Sequence, residues 1–289
     1  MKQILYLVEF IIILILFIIF RLMPINFVSI IGGKLFQIIG PFSKSHNIAI
    51  KNFKKVFYKL NIEEVKKNIS KSWNNLGRTF IEIIILNKLL KEKNKRIEII
   101  GIENLNQIKK KNEQVIFFGI HQANWELLVP TLDKLGIHVI AIYRHINNPY
   151  INRFILNLRT KSLHSKETFY TPKGKESAKE ILNAINKGKS IILLIDQKDN
   201  AGSEVNLFNY NVKTQTGFLK IAKKNKLKLI PVQTIRKNIN HFNIIFHSHV
   251  DPFINNQNEI EAMKKIHEII EKWIKENPDQ WLWQHKRFD

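Results

Sequence analysis

The spacing of apolar residues divides the chain into three textures. The first is a nearly unbroken apolar run from Ile4 to Phe20, interrupted only by Glu9. Its seventeen residues lie at the short end of what spans a bilayer as a helix. The run ends in Arg21-Leu22-Met23-Pro24 without a small-x-small cleavage site, so it reads as an uncut anchor rather than a signal peptide. A second apolar stretch, Phe27 to Phe42, contains Lys34 and the glycine pair Gly32-Gly33, and reads as an interfacial helix or hairpin. From residue 45 to about 94 apolar residues recur three and four apart, as in Val56, Leu60, Val65 and Ile69, which predicts helix.

After Arg96 short β-rich runs alternate with helical stretches. The predicted strands are Arg96–Ile100, Val115–Ile120, Val139–Tyr143, Ile191–Ile195, Leu229–Thr234 and Asn243–His247. The predicted helices are Glu126–Leu135, Pro149–Leu158, Lys175–Asn186, Thr216–Asn225 and Glu259–Glu276. Runs such as Val-Ile-Phe-Phe-Gly-Ile are apolar on both faces, as a buried parallel strand should be. The pattern predicts an α/β fold, a mostly parallel central sheet flanked by helices, with an N-terminal transmembrane or membrane-anchoring helix. The expected division is 1–24 anchor, 25–94 helical membrane-associated segment and 95–289 α/β core.

Charge adds an orientation. Lys and Arg number 46 against 24 Asp and Glu, a net charge of +22. Lys2 and the terminal amine precede the apolar run, whereas Arg21, Lys34, Lys44, Lys51, Lys54 and Lys55 follow it before the next acid, Glu63. The positive side is downstream, which places the body in the cytoplasm, against anionic headgroups. A nucleic-acid-binding protein is the alternative class, because backbone binding by Lys and Arg needs no motif. The anchor and the absence of any recognisable reader motif argue against it. A non-catalytic membrane scaffold is a third reading. Cysteine is absent, which removes disulfides, thiolate metal sites and a cysteine nucleophile. His241, His247 and His249 lack ligand spacing and nearby acids, so no metal and no cofactor are expected.

The junction Gln114-Val-Ile-Phe-Phe-Gly-Ile-His-Gln-Ala-Asn-Trp-Glu126 carries the densest chemistry. His121 leaves a buried strand and Glu126 opens the next helix. An imidazole there can take a proton from an alcohol, and a carboxylate on its other nitrogen would fix the tautomer. Amides at the helix start could hold a developing oxyanion. The composition alone yields about one His-x4-acid spacing by chance, so the spacing means little without its place at a strand end. A satisfied polar turn is the alternative. Only eight of the basic residues are Arg, and Arg144, Arg153 and Arg159 fall in one short segment after this junction. Guanidinium binds phosphate or carboxylate in a bidentate way that Lys cannot copy. Ordinary helix-surface Arg is the plainer reading. Asp196, at a strand end, reads as a site-shaping or hydrogen-bonding residue, and His285 belongs to a C-terminus whose two Trp pack against the body or the bilayer interface.

His121-Gln-Ala-Asn-Trp-Glu126 resembles the His-x4-Asp/Glu motif of the lysophospholipid-acyltransferase superfamily, in the form typical of the lipid A late acyltransferases (lauroyl/myristoyl transferases). Tyr143-Arg144, Asn148-Pro149, Asn152-Arg153, Arg159, Asp196-Gln197, Thr216-Gly217, Ile230-Pro231-Val232 and the ending Gln280-Trp-Leu-Trp-Gln-His-Lys-Arg-Phe288 resemble the same family in the same order. Departures are Gln122 where an aromatic is usual, Lys198 after Asp-Gln, and Arg159-Thr160-Lys161 in place of a denser Arg pair. The resemblance implies acyl transfer from an acyl-carrier-protein thioester to a hydroxyl of a Kdo-bearing lipid A precursor, at the bacterial inner membrane. It implies His121 as general base and Glu126 as its partner, with Asn124, Arg144, Arg153, Arg159, Asp196 and Gln197 toward substrate. The implied partners are acyl-carrier protein, an anionic glycolipid and the membrane, with no nucleic acid. The same fold could instead serve a lysophospholipid, an aminolipid or a phosphoinositide mannoside.

Overall fold

A computed structural model describes residues 2–253 and 258–289. The chain opens with four helices, α1 (Lys2–Leu22), α2 (Ile25–Ile39), α3 (Lys44–Val56) and α4 (Ile62–Glu82). Short helices α5 (Leu86–Lys91) and α6 (Lys93–Arg96) lead to β1 (Ile97–Ile100), α7 (Ile102–Lys111) and β2 (Val115–Gly119). Then come α8 (Leu128–Lys134), β3 (Val139–Tyr143), α9 (Pro149–Lys161), β4 (Phe169–Pro172), α10 (Lys175–Asn186) and β5 (Ser190–Leu194). The chain closes with β6 (Lys198–Leu207), β7 (Tyr210–Thr214), α11 (Gly217–Asn225), β8 (Lys228–Asn238), β9 (His241–Phe246) and α12 (Glu259–Glu276).

Seven strands form one sheet in the order β1-β9-β8-β2-β5-β3-β4, and β6-β7 form a separate hairpin. Every pair in the seven-stranded sheet is parallel except β8-β9. The mostly parallel α/β architecture expected from the sequence is therefore present, and all six predicted strands appear in it. His241 opens β9, which lies between β1 and β8.

Alternation along β2 explains the layers. Ile116 and Phe118 face a core shared with α3, α4, α11 and α12, while Val115 and Phe117 face a second core shared with α2, α5, α7 and α8. Trp281 and Trp283 are buried in the first of these, so the C-terminus packs on the body.

The helices Lys2–Leu22 and Ile25–Phe42 are long and apolar enough to cross a membrane. The second is one helical run ending in a 3-10 turn, not a hairpin, and it is partly buried. It packs on α4 at glycine distance: a Cβ on Gly77 would lie 2.2 Å from the Gly32 carbonyl oxygen. Along α1 the outer face stays exposed and apolar (Ile4, Ile11, Ile15, Ile18). Its inner face meets α9, with Phe10 and Phe17 both edge-on to Phe154 at 5.9 and 5.0 Å. Glu9, the one acid in the apolar run, accepts a hydrogen bond from the Asn148 amide at 2.9 Å.

Candidate active site

Register places the site. β2 and β5 are neighbouring parallel strands paired Gly119 to Leu194, and the ladder continues with the Ile195 N–H donating to the Gly119 carbonyl at 3.0 Å. Two residues beyond each strand end, the same register sets His121 opposite Asp196. The His121 Nδ1 lies 2.7 Å from Asp196 Oδ1. The other carboxylate oxygen accepts from the His121 backbone N–H at 2.9 Å and from the Trp281 indole N–H at 2.7 Å. Burial alone would raise the Asp196 carboxyl. The charge and hydrogen bonds of His121, with the Trp281 indole, outweigh it and hold this group below the usual carboxylate range.

An imidazole that donates Nδ1–H to a carboxylate keeps its lone pair on Nε2. That nitrogen faces the Gln197 side-chain amide at 3.3 Å. The His121 side chain is 15% exposed and Asp196 3%, so the ring edge is reachable while its carboxylate is shielded. The Trp125 ring stands edge-on to the imidazole at 5.0 Å.

The expectation that Glu126 orients the imidazole is corrected: Asp196 holds that nitrogen, and Glu126 pairs with Arg159. Arg159 donates from Nε to Oε2 at 2.8 Å and from Nη2 to Oε1 at 2.6 Å, and the Trp125 indole also donates to Oε1. The reason is local. Ala123 takes a left-handed φ of 51°, and the chain then tightens into a 3-10 turn at Trp125–Leu127. That turn directs Glu126 toward α9 rather than toward the ring. Burial alone would lower the Arg159 guanidinium, but the Glu126 charge and hydrogen bonds raise it, so it stays charged. Tyr143 and Tyr170 lie 5.8 and 5.9 Å from it. The Nε/Nη2 edge of Arg159 is thereby taken by Glu126. Arg144 and Arg153 are exposed.

Asn124 is fully buried, which corrects its expected place toward substrate. Its carbonyl caps the 3-10 turn at the Glu126 N–H, and its amide donates to Glu82 at 2.8 Å. The amides of Gln122, Ala123, Glu126 and Leu127 are bonded within the protein, to Ile120, Gln280 and Asn124, so these four are not open to an oxyanion. The C-terminal segment forms the adjoining wall. The Leu282 N–H donates to the His121 carbonyl at 3.1 Å, and His285 Nε2 accepts the Lys198 N–H at 2.9 Å.

The whole chain, residues 1–289, matches the family described as bacterial lipid A biosynthesis acyltransferase. The chain belongs to this family. It is 24% identical over 273 residues to the lipid A biosynthesis palmitoleoyltransferase of Escherichia coli (strain K12), covering 92% of this chain and 86% of that protein. The lipid A biosynthesis acyltransferase of Shigella flexneri matches with the same figures. The protein is thus an acyltransferase of lipid A biosynthesis.

In this acyltransferase the His121 turn is braced from behind by ionic contacts absent from the sequence reading. Glu82, fully buried, takes a forked contact from Arg236 at 2.6 and 2.9 Å and a hydrogen bond from Ser29 at 2.6 Å. Asn124 joins this network to the turn. Trp281 was also missed as a partner of Asp196, because a buried Trp in sequence signals packing before it signals an N–H donor.

Proposed function

We propose that the protein moves a fatty acyl chain from an acyl-carrier-protein thioester to a hydroxyl of a Kdo-bearing lipid A precursor, with His121 as general base. The observation that supports this best is the His121–Asp196 pair at 2.7 Å, set by register at the ends of two parallel strands. His121 Nε2 takes the acceptor hydroxyl proton as the oxygen attacks the thioester carbonyl. The tetrahedral intermediate collapses, the carbon–sulfur bond breaks, and the proton on Nε2 passes to the leaving thiolate. Asp196 stabilises the imidazolium throughout and keeps its own charge. The Glu126–Arg159 pair positions the wall carrying Trp125 against the imidazole. Arg144 and Arg153, exposed beside this region, suit phosphates or Kdo carboxylates. The basic surface suits an acidic carrier protein. The α1 helix anchors the body at the cytoplasmic face of the inner membrane.

The test uses the full chain in detergent micelles with acyl-carrier-protein thioester and Kdo-lipid IVA. Acylation of the glycolipid, lost by His121→Ala at unchanged Tm, is the expected result. Acylation of lysophospholipid but not of Kdo-lipid IVA would overturn the acceptor, and full activity of His121→Ala would overturn the base.

A further inference from the structure

A cleft of about 650 Å³ opens between the end of α1, α5, α8 and α9. Five Lys and Arg residues line it, Arg21, Lys88, Lys91, Lys134 and Lys161, together with His164, and no Asp or Glu does. None of the five has a carboxylate within ion-pair distance among the described residues. Two are fixed by the backbone. Lys88 donates to the Arg21 carbonyl at the end of α1, and Lys134 donates to the Leu90 carbonyl at 3.2 Å. Asp133, next to Lys134 in the chain, is not among the lining residues, and its carboxylate accepts from the His164 and Ser165 amides at 2.6 and 3.1 Å.

Five uncompensated cations converging on one cavity repel each other, and the arrangement destabilises the fold unless an anion occupies it. The remaining wall is apolar: Phe17, Phe154 and Leu158 line the same cleft. Arg21 ends the apolar run of α1, so the cleft sits where that helix meets the headgroup layer. Ile18 and Leu22, beside it on α1, are exposed.

We propose that this cleft is a second site, separate from the His121 centre, that binds the phosphate-bearing headgroup of an anionic membrane lipid whose chains run along α1. Its volume lies in the range of small-ligand cavities. Both halves of such a lipid find matching surface, phosphate against the bases and hydrocarbon against α1. The site rests on the membrane-anchored reading of α1 but not on the chemistry at His121. Asn157, Leu158 and Lys161 belong to the same helix as Arg159, so a headgroup held here lies on the flank of α9 while Arg159 turns toward Glu126.

The test is native mass spectrometry of the full chain released from detergent, titrated with dioleoylphosphatidylglycerol or with phosphate-free dioleoylglycerol. The wild type should retain the phospholipid and not the diacylglycerol. The Lys91→Glu/Lys161→Glu variant should bind phosphatidylglycerol about tenfold more weakly, and Lys220→Glu/Lys224→Glu on α11, equal in charge change, should match wild type. Should the double reversal fail to fold, Lys91→Gln and Lys161→Gln singly should each weaken binding. A parallel measurement of KM for a bis-phosphorylated lipid A precursor separates the sources. A raised KM with unchanged phosphatidylglycerol binding assigns the phosphate to the acceptor, and the reverse assigns it to bulk lipid. Unchanged binding and unchanged KM in a folded Lys91/Lys161 variant, or equal retention of both lipids by wild type, would overturn the site. His121→Ala should keep its lipid. A wild type that binds lipid but transfers no acyl chain would sink the proposed chemistry and leave this site standing.

Discussion

Two carboxylates lie near His121, the proposed base, and the geometry gives them different duties that paired substitutions can separate. Asp196→Asn keeps the side-chain shape and one acceptor oxygen for the His121 and Trp281 N–H donors. It places an NH2 against Nδ1, so the ring must accept there and carry its proton on Nε2, where the base is needed. In a His–Asp pair of this kind such a change lowers kcat by about 10⁴-fold, or about 5 kcal/mol of activation free energy. Glu126→Gln keeps the shape but removes the charge from a pair whose side chains are 9% and 16% exposed. Leaving a buried guanidinium without its partner costs about 3–5 kcal/mol, a Tm fall of roughly 6–20 °C at about 2–4 °C per kcal/mol. Turnover of the folded fraction should drop by no more than about tenfold, through movement of Trp125. The assay is kcat with saturating acyl donor, beside thermal melts of the same preparations. Loss of turnover by Glu126→Gln as deep as that of Asp196→Asn, with Tm unchanged, would refute the assignment.

Other outcomes follow from named contacts. Trp281→Phe removes one of the three donors on Asp196 and, by leaving a buried charge under-bonded, should cost about 1–3 kcal/mol and about tenfold in kcat. Burial lowers His267 to about 3, with the Asn206 carbonyl only partly opposing, and burial lowers His285 to about 4. Both are neutral when folded, so the unfolded chain binds more protons below the ordinary value of 6.5 and stability falls as pH drops from there toward 4. At pH 5 His267 alone costs about 2 kcal/mol relative to pH 8, and His285, partly exposed, costs less; a Tm independent of pH over that range would contradict the buried neutral rings. Gly77→Ala should lower Tm by forcing α2 off α4, at about 1–3 kcal/mol, and a neutral effect would mean the helices can separate freely. Arg144→Glu should raise KM for the phosphorylated acceptor more than for the acyl donor, and equal shifts would remove that role.

Strand positions were legible because β2, β5 and the first half of β8 are buried on both faces and rich in Val, Ile, Leu and Phe. The hairpin β6-β7 was not. Its first strand, Lys198–Leu207, is mostly polar, and its turn uses Phe208 and Asn209 at φ of 51° and 65° rather than a glycine. β4 ends in Pro172 at the sheet edge, where four residues give too short a pattern to read. At the site, His121 and Asp196 were each visible as a polar residue at a strand end. Their partnership was not, because strand order is a tertiary property and β2 could have neighboured β3. His-x4-Glu suggested a pair from sequence proximity, but the left-handed Ala123 and the 3-10 turn rotate Glu126 away. Local spacing could not register that turn, since Ala gives no signal for positive φ.

The placement of Glu9 gives α1 a second meaning. A carboxylate two turns into an apolar helix is costly unless something bonds it. Here the Asn148 amide donates to it and to the Tyr6 carbonyl, while the Asn148 carbonyl caps α9 at the Tyr150 and Ile151 amides. One side chain thus fixes both the entry of α9 and its position against α1. Phe154, one turn further, seats between Phe10 and Phe17, and Arg159, near the end of the same helix, holds Glu126. Glu126 shares its oxygen with Trp125, whose ring stands against His121. A continuous set of contacts therefore runs from the apolar helix to the imidazole. In the function proposed above, the acceptor hydroxyl belongs to a membrane lipid, so the height of His121 relative to α1 matters. With α1 as the proposed anchor, tying α9 to α1 would set the height of the His121 ring above the membrane with the same helix that carries Arg159 to Glu126.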